Sequence, residues 1–248
     1  MEQRKRYGGN SGLGYYTSWE KSKNNGCIYC GNPATTREHV PSKVFLQEPY
    51  PDNLPTIPAC FACNNGYSED ENYVACFLDI LKSQVYYDYL VPEQTNSRMA
   101  KDKKLQNILQ EQIKTQDDKV SYQLDKQRFD RILLKLARGH AGFEFDYVDF
   151  DNTNIKIWYD FLFHLSDEIL QNFESVPEAD IAPDVGLRAA GSPFILQNIT
   201  SDEATSLSIW NEVQENRYRY QVFQNKKENI TVKIVILEFL YCVVEFDT

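Results

Sequence analysis

The chain has 248 residues, 42% of them hydrophobic and 13% aromatic. That is ample for one large domain or two modest ones and excludes an intrinsically disordered polymer. The net charge of −10 argues against a nucleic-acid partner, but the charge is unevenly spread: residues 98–138 carry 11 basic and 6 acidic side chains, and residues 139–186 carry 1 and 11. Either block can also be read as a solvated face. No run of 18 uncharged apolar residues exists, so no transmembrane helix or membrane partner is expected. The basic start at residues 1–7 has no apolar stretch behind it, which argues against a signal peptide. Reduced cysteines and a cytoplasmic location are the expectation.

Residues 1–25 form a polar, glycine-bearing lead-in. From residue 26 the elements are short. Cys27-Ile28-Tyr29-Cys30 is a knuckle flanked by Gly26 and Gly31. Residues 35–40 read as a short strand ending at Pro41, and Pro49, Pro51, Pro55 and Pro58 extend the approach to a second knuckle, Cys60-Phe61-Ala62-Cys63. Asn64-Asn65-Gly66 reads as a turn. Ser68 and Glu71 form a capping-box pattern that opens a helix reaching about Leu90, with Tyr73, Phe77, Ile80, Leu81, Gln84 and Tyr87 at helical spacing. Val91-Pro92 ends it, and residues 93–97 read as a linker.

Beyond the linker, Leu105, Ile108, Leu109, Gln112 and Ile113 share the face of an amphipathic helix, and residues 120–124 alternate like a strand. A strong helix is predicted from Lys126 to about Ala141. It has Phe129, Ile132, Leu133, Leu136 and Ala137 inward, Lys126, Arg128, Arg131, Lys135 and Arg138 outward, and Gly139 at its weakening end. Helices are predicted near 154–164 and 166–175. Strands follow at 194–196, 208–210, 218–223 and within 230–246, with a hairpin turn at 225–229, giving an antiparallel sheet of three or four strands. The fold class is α+β.

Two Cys-x-x-Cys knuckles bring four thiolates to one ion, so Cys27, Cys30, Cys60 and Cys63 read as a closed, structural zinc site. Cys76 and Cys242 read as ordinary buried thiols. The spacer between the knuckles holds Glu38-His39, and Asn64 directly follows the last cysteine. A carboxylate and an amide oxygen suit magnesium or manganese, and a neutral imidazole beside such an ion can take a proton from water. His140 ends the basic helix, where the helix macrodipole favours an imidazolium or where it can approach a phosphate. His164, among Phe161, Leu162, Phe163 and Leu165, reads as a core histidine.

Over residues 27 to about 78, the order Cys-x-x-Cys, Glu-His-Val-Pro, Cys-x-x-Cys-Asn resembles the HNH endonucleases, and in particular their zinc-stapled branch that includes the recombination endonuclease VII family. The resemblance implies a ββα-metal finger spanning residues 26–92. It implies His39 as general base, Glu38 and Asn64 as ligands of a catalytic Mg2+ or Mn2+ ion, and the four cysteines around structural Zn2+. Many members place a further histidine on the helix. This helix has none, and Glu71 is the candidate third ligand beside its capping role.

The expected function is therefore metal-dependent hydrolysis of nucleic-acid phosphodiester bonds, DNA before RNA, in the manner of a nuclease subunit of a bacterial defence system. Arg128, Arg131, Lys135 and Arg138 are candidate phosphate contacts. Residues 98–248 would form an α+β domain that selects substrate or partner, with a protein partner docking on the acidic segment 139–186. The alternative is a catalytically inactive, zinc-stabilised binding module.

Overall fold

The structure is a computed structural model that describes residues 26–117, 119–145, 147–148, 150, 154–175, 210–224 and 229–247. The strands expected at 194–196 and 208–209 and the turn at 225–228 lie outside the described residues.

The chain begins with β1 (Thr36–His39), one 3-10 turn (Lys43–Phe45), β2 (Thr56–Ala59), α1 (Phe61–Gly66) and α2 (Ser68–Val85). It continues through α3 (Glu93–Lys101), α4 (Lys103–Gln112), the hairpin β3 (Ile113–Gln116) and β4 (Lys119–Tyr122), and α5 (Lys126–Phe145). The remaining elements among the described residues are β5 (Ile155–Phe161), α6 (Asp167–Glu174), β6 (Asn211–Gln214), β7 (Tyr218–Gln224), β8 (Ile230–Ile236) and β9 (Leu240–Phe246). The architecture is mixed α and β, and every strand pair is antiparallel. No helix among the described residues is long and apolar enough to cross a membrane.

The large sheet has five strands in the order β5-β9-β8-β7-β6. The strand beyond the expected number is β5, which occupies the stretch predicted as a helix near 154–164. Its residues alternate at a period of two, and Ile155 to Phe161 pair in register with Phe246 to Leu240 of β9. Only Leu162–His164 turns helical. The helix predicted at 166–175 is α6, whose first free amides are met by the Ser166 hydroxyl accepting from the Ile169 N–H. β8 is buried almost throughout because the sheet is covered on both faces, by α5 on one and by Phe173 of α6 on the other.

Residues 93–97 are the first turns of α3 rather than a linker, and α2 stops at Val85 rather than Leu90. The Thr95 hydroxyl donates to Asp79 of α2 at 2.5 Å, and Asp79 also accepts from Tyr89 and from Arg217. One hydrophobic core runs across the expected boundary, joining Tyr73, Phe77 and Leu81 to Leu109, Phe129, Leu133 and Ile234.

The centre of the molecule is α5. Its first half is amphipathic as predicted, with Phe129, Ile132 and Leu133 buried. Its second half is buried on nearly every side, because it passes between the β1–β2 pair and the large sheet. Lys135 and Arg138, expected outward, are therefore inside. Gly139 does not end the helix; it lies against Val40 and Ile57. One turn on, a Cβ at Gly142 would stand 2.0 Å from the Ile28 Cδ1 atom, so this position admits only glycine without displacing a buried side chain.

Candidate metal centre and the buried Glu38 cluster

The first knuckle is closed by its own backbone: the Cys27 carbonyl accepts the amides of Cys30 and Gly31, and Gly31 takes φ +74°, the left-handed conformation that glycine adopts without strain. The second knuckle starts α1. Cys60 caps that helix, its sulfur accepting from the Cys63 amide at 3.3 Å. The Ile28 amide bonds the Pro58 carbonyl, and so β2 delivers the second knuckle to the first. All four sulfurs lie within 4.8 Å of one another. Cys30 and Cys60 sulfurs are 3.7 Å apart, close to the roughly 3.8 Å edge of a tetrahedron built on 2.3 Å zinc–sulfur bonds.

The Cys63 amide holds the Cys60 thiol down at about 7, and burial pushes Cys27 and Cys63 up. Cys60 is thus about half ionised at neutral pH, and a divalent cation binding there would displace the protons of the other thiols. These residues fit a metal ion such as zinc.

The residues expected around a second, harder ion are distributed differently. Along β1, Glu38 is buried and His39 half-buried. Glu38 accepts from the Lys135 ammonium at 3.0 Å and from the Ser42 hydroxyl at 3.1 Å. Burial raises its carboxyl above the usual range, opposed by Lys135 and reinforced by Glu71. Glu71 does not close a capping box, since Ser68 donates instead to the Asn65 carbonyl. Its carboxylate is buried and bonds the same Lys135 ammonium. Tyr29 is enclosed beside this cluster, where burial and the two carboxylates raise its hydroxyl well above the ordinary value.

Asn64 lies in α1, not in a turn, and its amide nitrogen donates to the Thr36 hydroxyl at 3.0 Å and the Arg37 carbonyl at 3.4 Å. It reaches the strand that carries Glu38 and His39 but shares no partner with Glu38. The structure therefore unites Glu38 with Glu71 and leaves Asn64 apart. As they stand, Glu38, Asn64 and Glu71 do not fit a divalent ion, because an ammonium already lies between the two carboxylates.

The His39 ring has no hydrogen-bond partner among the described residues. Burial, and then Lys43, lower its pKa, so the ring is held neutral.

The basic face of α5 meets acids from the first turn of α2. Arg128 and Arg131 both pair with Asp70, and Arg131 also donates to the Gly66 carbonyl at 3.0 Å. Of the four candidate phosphate contacts, Lys135 and Arg138 are buried, and Arg128 and Arg131 are engaged at this seam. The acidic segment 139–186 is likewise not one exposed face among the described residues. Glu144 is buried and accepts from Tyr220, Asp160 pairs with His164, and Glu174 pairs with Arg219.

The two remaining histidines exchange their expected settings. His164 is partly exposed and bonded to Asp160 at 2.8 Å. His140 is fully buried, stacked on Tyr220 at 3.7 Å between ring centres, with its Nε2 2.8 Å from the Tyr218 hydroxyl. Burial lowers its pKa from 6.5 to about 3. The imidazolium would carry an N–H at both nitrogens, and Nδ1 is a buried atom with no acceptor among the described residues. The folded chain therefore excludes a proton that the unfolded chain takes up as pH falls below about 6.5. The stability His140 confers is present above that pH and is lost on acidification toward 3. At pH 4.5 the loss is about 3 kcal/mol, at roughly 1.4 kcal/mol per pKa unit. Urea unfolding at pH 7 and 4.5 checks this: His140→Gln should lose distinctly less stability than the parent between the two, and equal losses would refute it.

Sequence reasoning missed Lys135 and Ser42 as the partners of Glu38. A signal was present in the small residues Ala137, Gly139, Ala141 and Gly142, which allow close approach to more than one face of α5. No protein-family model matches the chain, and neither a curated protein nor a solved structure matches it.

Proposed function

We propose that the chain hydrolyses nucleic-acid phosphodiester bonds, DNA before RNA, from a zinc-stapled ββα finger of the HNH kind in which His39 is the general base. The observation that carries this reading is the arrangement at residues 26–85. An antiparallel strand pair leads into helices whose start is pinned by the cysteine cluster, and a neutral, half-buried imidazole ends the first strand. A neutral imidazole with no protein partner among the described residues can accept the proton of an attacking water, and the resulting hydroxide would displace the ester oxygen at phosphorus, which leaves as an alkoxide that takes its proton from solvent. The Mg2+ or Mn2+ ion that the resemblance implies takes no step here, since Lys135 lies where Glu38 and Glu71 would hold it.

The test is cleavage of plasmid, single-stranded DNA and RNA with and without Mg2+ or Mn2+, comparing the parent with His39→Ala. The parent should cut, and the variant should be slower by a factor on the order of 10² to 10⁴ at unchanged zinc content. Equal cutting by both, or none by either across all substrates and metals, would sink the proposal. A second reading, a zinc-stabilised binding module, is favoured by one observation: both candidate carboxylates are spent on Lys135. It predicts the second of those failures.

A further inference from the structure

The Glu38–Glu71 cluster has the anatomy of a cation site, with a shell of oxygens, a buried position and an excess of negative charge. Its occupant comes from the chain itself. An ammonium offers three N–H donors. Lys135 directs its nitrogen at three oxygens: the Ser42 hydroxyl at 2.8 Å, the Glu38 carboxylate at 3.0 Å and the Glu71 carboxylate. The ring of Tyr67 covers a further side at 5.2 Å. Glu38, Ser42, Glu71 and Lys135 are all more than nine-tenths buried.

We infer that Lys135 is the resident cation of this site, taking the place of a divalent ion and keeping external Mg2+ or Mn2+ from the Glu38 and Glu71 carboxylates. The inference stands whether or not the chain is a hydrolase.

Three features support it. The three oxygens come from β1, the residues just after it, and α2, so they are fixed by the zinc-pinned finger, while the cation comes from α5. The site is preformed on one side and filled from the other. Charge points the same way: two carboxylates and one ammonium leave −1, whereas a divalent ion in place of the lysine would leave zero, so removing the lysine creates a vacancy that calls for such an ion. Competition also favours the lysine. Its ammonium is held at the site by its own helix, whereas an external ion must shed water to enter.

The consequence is a coupling between parts of the molecule. The finger's carboxylates are released to solvent or to a metal only if α5 draws Lys135 away. In the described state, Lys135 is a latch between the finger and the helix that backs the large sheet.

The experiment is Mn2+ binding, read by electron paramagnetic resonance and by thermal shift on the full chain loaded with zinc. The parent, Glu38→Gln, Lys135→Met, Lys135→Gln and the double variant Lys135→Met/Glu38→Gln are compared. Lys135→Met should gain one Mn2+ per chain, with a dissociation constant on the order of 10⁻⁴ to 10⁻³ M, as for weak carboxylate sites. Its melting temperature should rise with Mn2+ while that of the parent does not. The double variant should lose the gained ion. Lys135→Gln, shorter but still able to donate to the carboxylates, serves if the methionine variant is too unstable to handle. Two results overturn the inference: Mn2+ binding by the parent that Glu38→Gln abolishes, or a folded Lys135 variant that binds no more Mn2+ than the parent. Both are independent of nuclease activity, so a failed cleavage assay and a failed latch are told apart.

Discussion

Replacing Cys60 with serine, or stripping metal with a chelator, is expected to unfold residues 26–68 and expose their contacts with α5. Around the cysteines the packing is slight: the satellite cluster built on Cys27, Ile28, Tyr29, Val40, Ile57, Ala59 and Phe143 is small beside the main core. A structural zinc bound by four thiolates supplies on the order of 10 kcal/mol or more of apparent folding free energy, against a total stability of about 5–15 kcal/mol for a typical domain. Cys60 should be the most sensitive of the four. Its sulfur carries the lowered pKa that favours the thiolate a metal needs, and serine, itself a good N-cap, leaves the start of α1 capped, so the loss reports on the metal. The check is one zinc per chain by elemental analysis, together with hydrogen exchange of the amides of β1 and β2 before and after chelation. A parent that purifies without metal and shows unchanged exchange in chelator would refute the zinc assignment.

Lys135→Ala should be the most destabilising single change outside the cysteines, at about 3–5 kcal/mol, because it leaves two carboxylates buried without a counter-charge. That cost arises from what is left behind rather than from the strength of the ion pair. The triple variant Lys135→Met, Glu38→Gln, Glu71→Gln should therefore recover a large part of the loss, since no group in it is left charged and unpaired. Chemical denaturation of the three proteins decides the matter. A Lys135→Ala chain within about 1 kcal/mol of the parent would show that water already reaches the cluster.

What could be read from the sequence was what local pattern determines. The strand at Thr36–His39 follows from a short extended stretch stopped by Pro41, the four cysteines from their spacing, and the apolar face of α5 from its period. The errors fall where distant parts of the chain decide. Asn64-Asn65-Gly66 carries every sign of a turn, yet Cys60 caps a helix there that leads into α2. In Ile155-Lys156-Ile157-Trp158-Tyr159 the period-two pattern was visible, but it becomes a strand by pairing with β9, some ninety residues away. Lys135 looks like a surface charge until β1, 97 positions earlier, is laid against it. The histidines show the same limit: His140 on a basic helix is buried, and His164 among aromatics is partly exposed, because burial is a tertiary property.

The close approach of Gly142 to Ile28 bears on whether residues 26–92 are a transferable module. Ile28 lies between the two cysteines of the first knuckle, and the surface it fits is supplied by a helix more than a hundred residues later. A fragment ending at residue 92 would keep all four thiols, both strands and α2, and so would look complete by sequence. It would also open Ile28, Val40 and Ile57 to water and leave Glu38 and Glu71 without their counter-charge. The cysteine cluster closes one end of the segment and α5 forms its floor. Grafted onto another protein without that floor, the segment would carry its metal ligands but not its architecture.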